Sequence, residues 1–263
     1  MSKTYAIANQ KGGVGKTTTC VNLAASLIAI KKRVLLIDID PQGNATTGSG
    51  IDKENMTLST YDILVDNQSI TDVSCSSPSG KYSVVGANGD LTAAEVQLLE
   101  LPQKQFRLRQ ALVHMGDLYD YILIDCPPSL NMLTLNALVA CDGVIIPMQC
   151  EYYSLEGISA LIKTVHQIQQ ELNPSLVIEG IVRTMYDPRS GLTLEVSNQL
   201  KEYFGNKLYQ ACIPRNIRLA EAPSFGQPAL VYDRNSKGAV AYLALAGEFV
   251  RRSERMLRQV THP

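Results

Sequence analysis

The chain has 263 residues, 45% of them apolar, and a formal net charge of −1. It is long enough for one large domain or two small ones, no apolar run nears the roughly 18 residues of a membrane-spanning helix, and Met1-Ser2-Lys3-Thr4 leads straight into a strand-like run rather than a secretory leader. Six cysteines (20, 75, 126, 141, 150 and 212) form no C-x-x-C pair, which points to free buried thiols in a reducing cytosol rather than a disulfide framework.

The charge is unevenly spread. Residues 183–263 hold 12 Lys/Arg against 7 Asp/Glu, whereas residues 1–182 hold 12 against 18. A basic final third on an acidic body hints at a surface that faces a polyanion.

In chain order, Thr4–Asn9 reads as a strand, and 16–30 as a helix with Val21, Ala24, Ala25, Leu27 and Ile28 on one face. Residues 33–38 are a buried strand and 82–87 a further one. Residues 48–81, richer in Ser, Asn and Asp, read as a surface insertion with a short helix near 60–64. Helices follow over 93–99 and 105–114, then the strand Tyr121–Asp125. Strands over 143–148 and 176–183 flank a helix over 155–172, and helices over 192–203 and 239–260 complete the chain. Continuously apolar strands alternating with helices predict one doubly wound α/β domain spanning residues 1–263, its mostly parallel sheet covered on both faces.

Between the first strand and first helix lies Lys11-Gly12-Gly13-Val14-Gly15-Lys16-Thr17-Thr18. Strand, glycine loop, Gly-Lys-Thr and helix together make a phosphate-binding loop. The glycines let the backbone turn tightly and aim N–H groups at phosphate oxygens, and the helix adds its positive end. Lys16 is expected to bridge the β- and γ-phosphates of ATP, and Thr17 to ligate Mg2+. The first glycine of the usual spacing is missing.

Two carboxylate segments follow strand ends: Asp38-Ile39-Asp40-Pro41-Gln42-Gly43-Asn44 and Asp125-Cys126-Pro127-Pro128-Ser129. Strand ends form the ligand-binding edge of an open α/β sheet. Asp125 is expected to hold Mg2+ through a coordinated water, and Asp40 to orient the attacking water. Asp38 is expected to be a structural or Mg2+-shell partner. Pro41, Gly43 and the Pro127–Pro128 pair shape loops that respond to the γ-phosphate.

These three segments, with Arg183–Arg189 and the stretch Ile213–Gly226, resemble the deviant-Walker ATPases, and among them the ParA/Soj partition proteins, over nearly the whole chain. The resemblance implies that ATP closes a homodimer, that the dimer binds double-stranded DNA without sequence preference, and that a ParB/Spo0J-type partner stimulates hydrolysis. It implies a cytoplasmic protein, nucleoid-associated when ATP-bound. It makes Lys11 a lysine that crosses to the partner's phosphates, Gly12 a position kept small for the second subunit, Pro214 and Arg215 part of the adenine site, and Arg189 and Arg218 part of the DNA surface. Arg183 departs from the family's usual small or apolar residue. The chain begins almost at its first strand, so no helix-turn-helix extension and no operator-specific repression are expected. The basic run Arg251, Arg252, Arg255 and Arg258 is either a DNA contact or a solvated face with local ion pairs.

A MinD-like membrane-cycling ATPase would share every catalytic motif, and is the alternative. It would need a separable amphipathic tail; here the stripe of Tyr242, Leu243, Ala246, Phe249, Val250, Met256 and Leu257 fits docking on the domain instead, so no membrane partner is expected. An iron–sulfur reductase would need paired cysteines near the switches, where Cys126 and Cys141 sit poorly. A non-hydrolysing nucleotide sensor conflicts with intact Lys11, Lys16, Thr17, Asp40 and Asp125.

Overall fold

The computed structural model describes residues 2–152 and 154–261, without the side chains of 154–156 and 255–261. Arg255, Met256, Leu257 and Arg258 of the basic run and apolar stripe therefore lie outside the described side chains.

The elements run β1 (Lys3–Ile7), α1 (Lys16–Ala29), β2 (Val34–Asp38), α2 (Asn44–Gly48), α3 (Thr60–Leu64), α4 (Ile70–Val73), β3 (Cys75–Ser76), β4 (Ser83–Val85), α5 (Leu91–Leu98), α6 (Arg107–Val113), β5 (Tyr121–Asp125), α7 (Met132–Ala140), β6 (Gly143–Gln149), α8 (Ser154–Glu171), β7 (Val177–Tyr186), α9 (Gly191–Phe204), β8 (Leu208–Pro214), α10 (Ile217–Glu221), α11 (Ala229–Tyr232) and α12 (Lys237–Thr261), with 3₁₀ turns at Lys104–Phe106, Gly205–Lys207 and Ala222–Phe225. The sheet has 8 strands in the order β3-β4-β2-β5-β1-β6-β7-β8. Every pairing is parallel except β3 with β4. The doubly wound architecture is as the sequence implies.

Alternation along the strands builds two cores. Tyr5, Ile7, Leu36, Leu123 and Ile145 point to the face covered by α1 and α12, where Leu23, Leu27, Tyr242 and Phe249 meet them. Ala6, Leu35, Ile37, Ile122, Ile124 and Val144 point to the other face, packed by α5, α7 and α8 through Leu98, Leu133, Leu138 and Leu161. With both faces covered, strands carry apolar residues at successive positions, which is why they read as unbroken apolar runs.

The structure departs from the sequence reading in three places. Residues 48–81 are woven into the fold: Ile63, Leu64, Ile70 and Val73 are buried in the core, and β3 extends the sheet. Strand β8 is present where no strand was expected; its Gln210 is exposed and its Ala211 and Cys212 only half-buried, so it lacks an apolar run. Cys75 is exposed and Cys212 half-buried, whereas Cys20, Cys126, Cys141 and Cys150 are buried thiols.

Strand β8 closes the edge with help from α12. Glu248 accepts from the N–H groups of Gln210 (2.9 Å) and Ala211 (3.0 Å), donors that would otherwise face outward from an edge strand. Arg252 bridges Glu248 (2.6 Å) and Leu208 O (2.8 Å) and lies 4.0 Å from the Tyr209 ring centroid. Its guanidinium is thus committed to the fold, unlike exposed Arg251. Arg183, whose role was open, donates to Ser197 Oγ and Tyr209 O, where the β7–β8 register shifts.

Helix α12 docks through Tyr242, Leu245, Ala246 and Phe249, all buried. The Phe249 ring sits 4.8 Å from that of Tyr5 and 5.0 Å from that of Tyr121. Of the apolar stripe, Tyr242, Ala246 and Phe249 are therefore internal, as expected for a docked rather than a detachable helix, and Leu243 and Val250 are half-buried. Among the described residues no helix is long and apolar enough to cross a membrane. Removing a buried aromatic at such a junction costs about 3–5 kcal/mol. Phe249→Ala is expected to lower unfolding free energy by that amount in a denaturant titration; a loss below about 1 kcal/mol would show that α12 is held by other contacts.

Candidate nucleotide site

The sheet order changes direction beside β1: the chain goes from β1 to β2 on one side, then returns through β5 and crosses to β6 on the other. The crevice of a doubly wound sheet opens at such a point, at the carboxyl ends of the strands. The loop from Ala8 to Gly15 emerges there and enters α1 directly. Gly13 and Gly15 take φ of +71° and +88°, values that a side chain disfavours. Gly12 differs: its φ is not positive, and a Cβ built on it would meet nothing within 4 Å. The conformation and packing of this chain alone do not require glycine there.

Strand register assembles the acidic side. Asp38 is the lateral partner of Asp125, and Ile7 pairs with Asp125, so the three strand ends lie together. Thr17 Oγ1 donates to Asp125 Oδ2 at 2.7 Å. Asp125 Oδ1 is buried and has no hydrogen-bond partner among the described residues. An orphaned carboxylate oxygen beside a threonine hydroxyl, under a phosphate loop, is a donor set suited to Mg2+, which takes one or two protein oxygens and completes its shell with phosphate and water.

Asp38 has a different job. Fully buried, it accepts from Asp40 N (3.1 Å), Thr46 N (2.8 Å) and Thr46 Oγ1 (2.8 Å). It pins the turn that carries Asp40. Gly43 closes that turn at φ +61°, where a Cβ would come within 2.5 Å of Ala87 O. Asp40 is 7% exposed, and its Oδ1 accepts from Gln42 N.

The charges of the pocket do not balance. Burial holds the Lys16 ammonium below its usual range, with the charges of Asp125 and Asp40 opposing. Burial pushes the Asp125 carboxyl well up, and the neighbouring Asp38 carboxylate pushes it further, against the hydrogen bond from Thr17. Burial likewise raises Asp38, against its hydrogen bonds from Thr46 and Asp40. Buried carboxylates side by side with one lysine form a pocket short of positive charge.

Lys16 Nζ donates to Lys11 O at 3.3 Å, across the loop. Lys11 extends the other way: its Nζ forms a 2.7 Å ion pair with Glu151, and both side chains are substantially exposed. Sequence reasoning did not find Glu151, nor Asn9, whose Oδ1 accepts from Lys11 N and whose Nδ2 donates to Pro147 O. No motif marks either residue.

Beside the loop, Gly15, Thr18, Thr184, Met185, Ile213, Pro214, Arg215, Asn216 and Leu219 are among the residues lining a cavity of about 190 Å³. Pro214 and Arg215 thus join the phosphate loop in one concavity. Arg189 and Arg218 do not reach it. Arg189 is exposed and held bidentately by Asp187 (2.9 and 3.0 Å), which draws the Asp187 carboxyl down to about 2. Arg218 pairs with Glu221 (2.8 Å) and Asp233 (3.3 Å). Both leave the sheet at the carboxyl ends of β7 and β8, the same edge as the phosphate loop.

Because Asp125 is buried beside another carboxylate, Asp125→Asn is expected to raise stability by about 0.5–2 kcal/mol in a melt without nucleotide or Mg2+, the exchange of stability for function typical of such sites. A loss of stability would mean that the charge holds Thr17 in place.

Comparison with known proteins fits this geometry. The AAA domain family model matches residues 2–178. The chain is 52% identical over 248 residues to sporulation initiation inhibitor protein Soj of Bacillus subtilis, covering 94% of this chain and 98% of that one. It is 50% identical over 246 residues to chromosome partitioning protein ParA of Myxococcus xanthus, covering 94% and 87%. Its fold matches cobyrinic acid a,c-diamide synthase of Mycobacterium smegmatis, crystallised with bound ADP and magnesium, with a TM-score of 0.85 at 33% identity over 97% and 96% of the two chains. Identity of this order spans nearly the whole chain, and on that ground the chain belongs to the ParA/Soj family of chromosome-partitioning ATPases.

Proposed function

We propose that this partitioning ATPase works as an ATP-closed sandwich dimer that holds double-stranded DNA without sequence preference and releases it after hydrolysis stimulated by a ParB-type partner. The observation that carries the reading is the Thr17–Asp125 pair with its unpartnered carboxylate oxygen, at the mouth of the glycine loop. Loop N–H groups, the N-terminus of α1 and Lys16 bind the triphosphate. Thr17 and Asp125 hold Mg2+, which when bound neutralises charge on the β- and γ-phosphates. Asp40, on its pinned turn, orients the attacking water. Pro214 and Arg215 line the side on which the base lies.

Dimer closure assigns Lys11 and Gly12. Gly12 is a glycine that this chain's own backbone and packing do not demand; a second body passing close to the loop explains it. Lys11 supplies in trans the cation that an arginine finger supplies elsewhere, countering charge on the transferring phosphoryl group. To do so it must leave Glu151, which is inexpensive, since exposed ion pairs contribute only about 0–1 kcal/mol. Turnover is slow until the dimer forms. The protein is cytoplasmic, and nucleoid-associated while ATP is bound.

Arg189 and Arg218 form the start of the DNA surface. Asp187 holds Arg189, and Glu221 and Asp233 hold Arg218; phosphate replaces these carboxylates on binding, so the exchange is sensitive to salt. Arg189→Ala and Arg218→Ala are each expected to weaken retention on random-sequence duplex and lower the slope of log affinity against log salt by about 1. If both variants follow the wild-type salt series, the DNA surface lies elsewhere.

Asp40→Ala retains the parts that bind ATP and loses the one that uses water. With ATP and Mg2+ it is expected to elute as a stable dimer with turnover reduced at least about 100-fold. Elution as a monomer at saturating ATP would remove the sandwich from the account.

A further inference from the structure

The phosphate loop is held from behind by residues to which no role has yet been given. Gln149 ends β6 and Thr184 lies near the end of β7, and the two are lateral partners in the parallel ladder. Thr184, buried, donates from Oγ1 to Val14 O at 2.7 Å. Gln149 donates from Nε2 to Gly13 O at 3.0 Å. The opposite amide orientation would set Oε1 against that carbonyl, so the donor orientation is the one that satisfies both. The same Nε2 lies 2.8 Å from Met185 Sδ. Met185 takes φ +48° and lines the cavity beside the loop. Backbone strain in a non-glycine residue persists only where its surroundings enforce it.

The peptide plane turns these contacts into a device. In a trans peptide the C=O of one residue and the N–H of the next point in opposite directions. Fixing Gly13 O and Val14 O against β6 and β7 therefore turns the N–H groups of Val14 and Gly15 the other way, towards the mouth of the loop. Those are the groups that a phosphate loop offers its ligand. We propose that Gln149 and Thr184 are positioning residues that pre-orient the phosphate-binding amides, and that Gln149, through Met185, ties the base side of the site to the phosphate side. This rests on reading the loop as the ATP site.

The test measures ATP affinity by calorimetry, with thermal melts of the same nucleotide-free samples. Thr184→Val removes only the hydroxyl; it is expected to weaken ATP binding about tenfold while the melt stays within about 2 °C of wild type, and Thr184→Ser, which keeps the donor, is expected to restore affinity to within about twofold. Gln149→Leu, at a less buried position and so the safer fold, is expected to weaken binding about threefold or more. Wild-type affinity in both Thr184→Val and Gln149→Leu would overturn the proposal. So would a loss in Thr184→Val matched by a large fall in the melt and not rescued by serine, which is the pattern of a purely structural residue. Failure of the wild-type protein itself to bind ATP would instead strike the reading of the loop, and the proposal would fall with it.

Discussion

The rest of the site depends on the pairing of Thr17 with Asp125 across the carboxyl edge of the sheet. It joins the first turn of α1 to the end of β5, and so fixes the phosphate loop over the carboxylates. It also leaves one buried carboxylate oxygen without a partner among the described residues, in a pocket where Asp38 and Asp40 add negative charge and Lys16 opposes it. A buried charge that nothing compensates is costly. The chain keeps this imbalance because a cation and a triphosphate resolve it together. Binding energy and catalytic geometry therefore come from the same source.

Around that pairing the fold separates rigid parts from responsive ones. Asp38 is fully committed to its turn through Thr46 and Asp40 N, so Asp40 is placed by backbone rather than by a mobile side chain. Lys11 stands at the other extreme, exposed and held by a single carboxylate. Arg189 and Arg218 are likewise held by exposed ion pairs. Lys16 and the three carboxylates Asp38, Asp40 and Asp125 are buried, and the groups proposed to meet a second subunit or DNA are lightly tethered. That contrast is what the proposed cycle of closing and opening requires.

Much of this was legible in the sequence, for a physical reason. Strands buried on both faces must be apolar throughout, so β1, β2, β5 and β6 stand out, and the loops after their carboxyl ends carry the glycines and aspartates. What escaped reading escaped for equally definite reasons. Strand β8 is an edge strand whose outer donors are capped by Glu248, so Gln210 and Cys212 interrupt its apolar pattern. Residues 48–81 look polar, yet Ile63, Leu64, Ile70 and Val73 are enough to anchor them. Gln149 and Thr184 belong to no motif; only strand order and register bring them behind the phosphate loop. The carboxylates that hold Arg189 and Arg218 in place were also not read: Asp187 pairs within a turn and Asp233 comes from another element, and only Glu221 stands at a helical i,i+3 spacing.

The central claim is that each subunit completes the other's site with Lys11. Mixing two inactive proteins tests it most directly. A Lys11→Ala copy keeps its own Asp40 but lacks a lysine to give, and an Asp40→Ala copy keeps Lys11 but cannot direct water. In a mixed dimer the first copy's site receives the second copy's lysine and is whole. The account predicts that partner-stimulated ATP hydrolysis, absent from each variant alone, reappears on mixing, towards half the wild-type rate per mixed dimer. A mixture as inactive as its components, with mixed dimers demonstrably present, would contradict it.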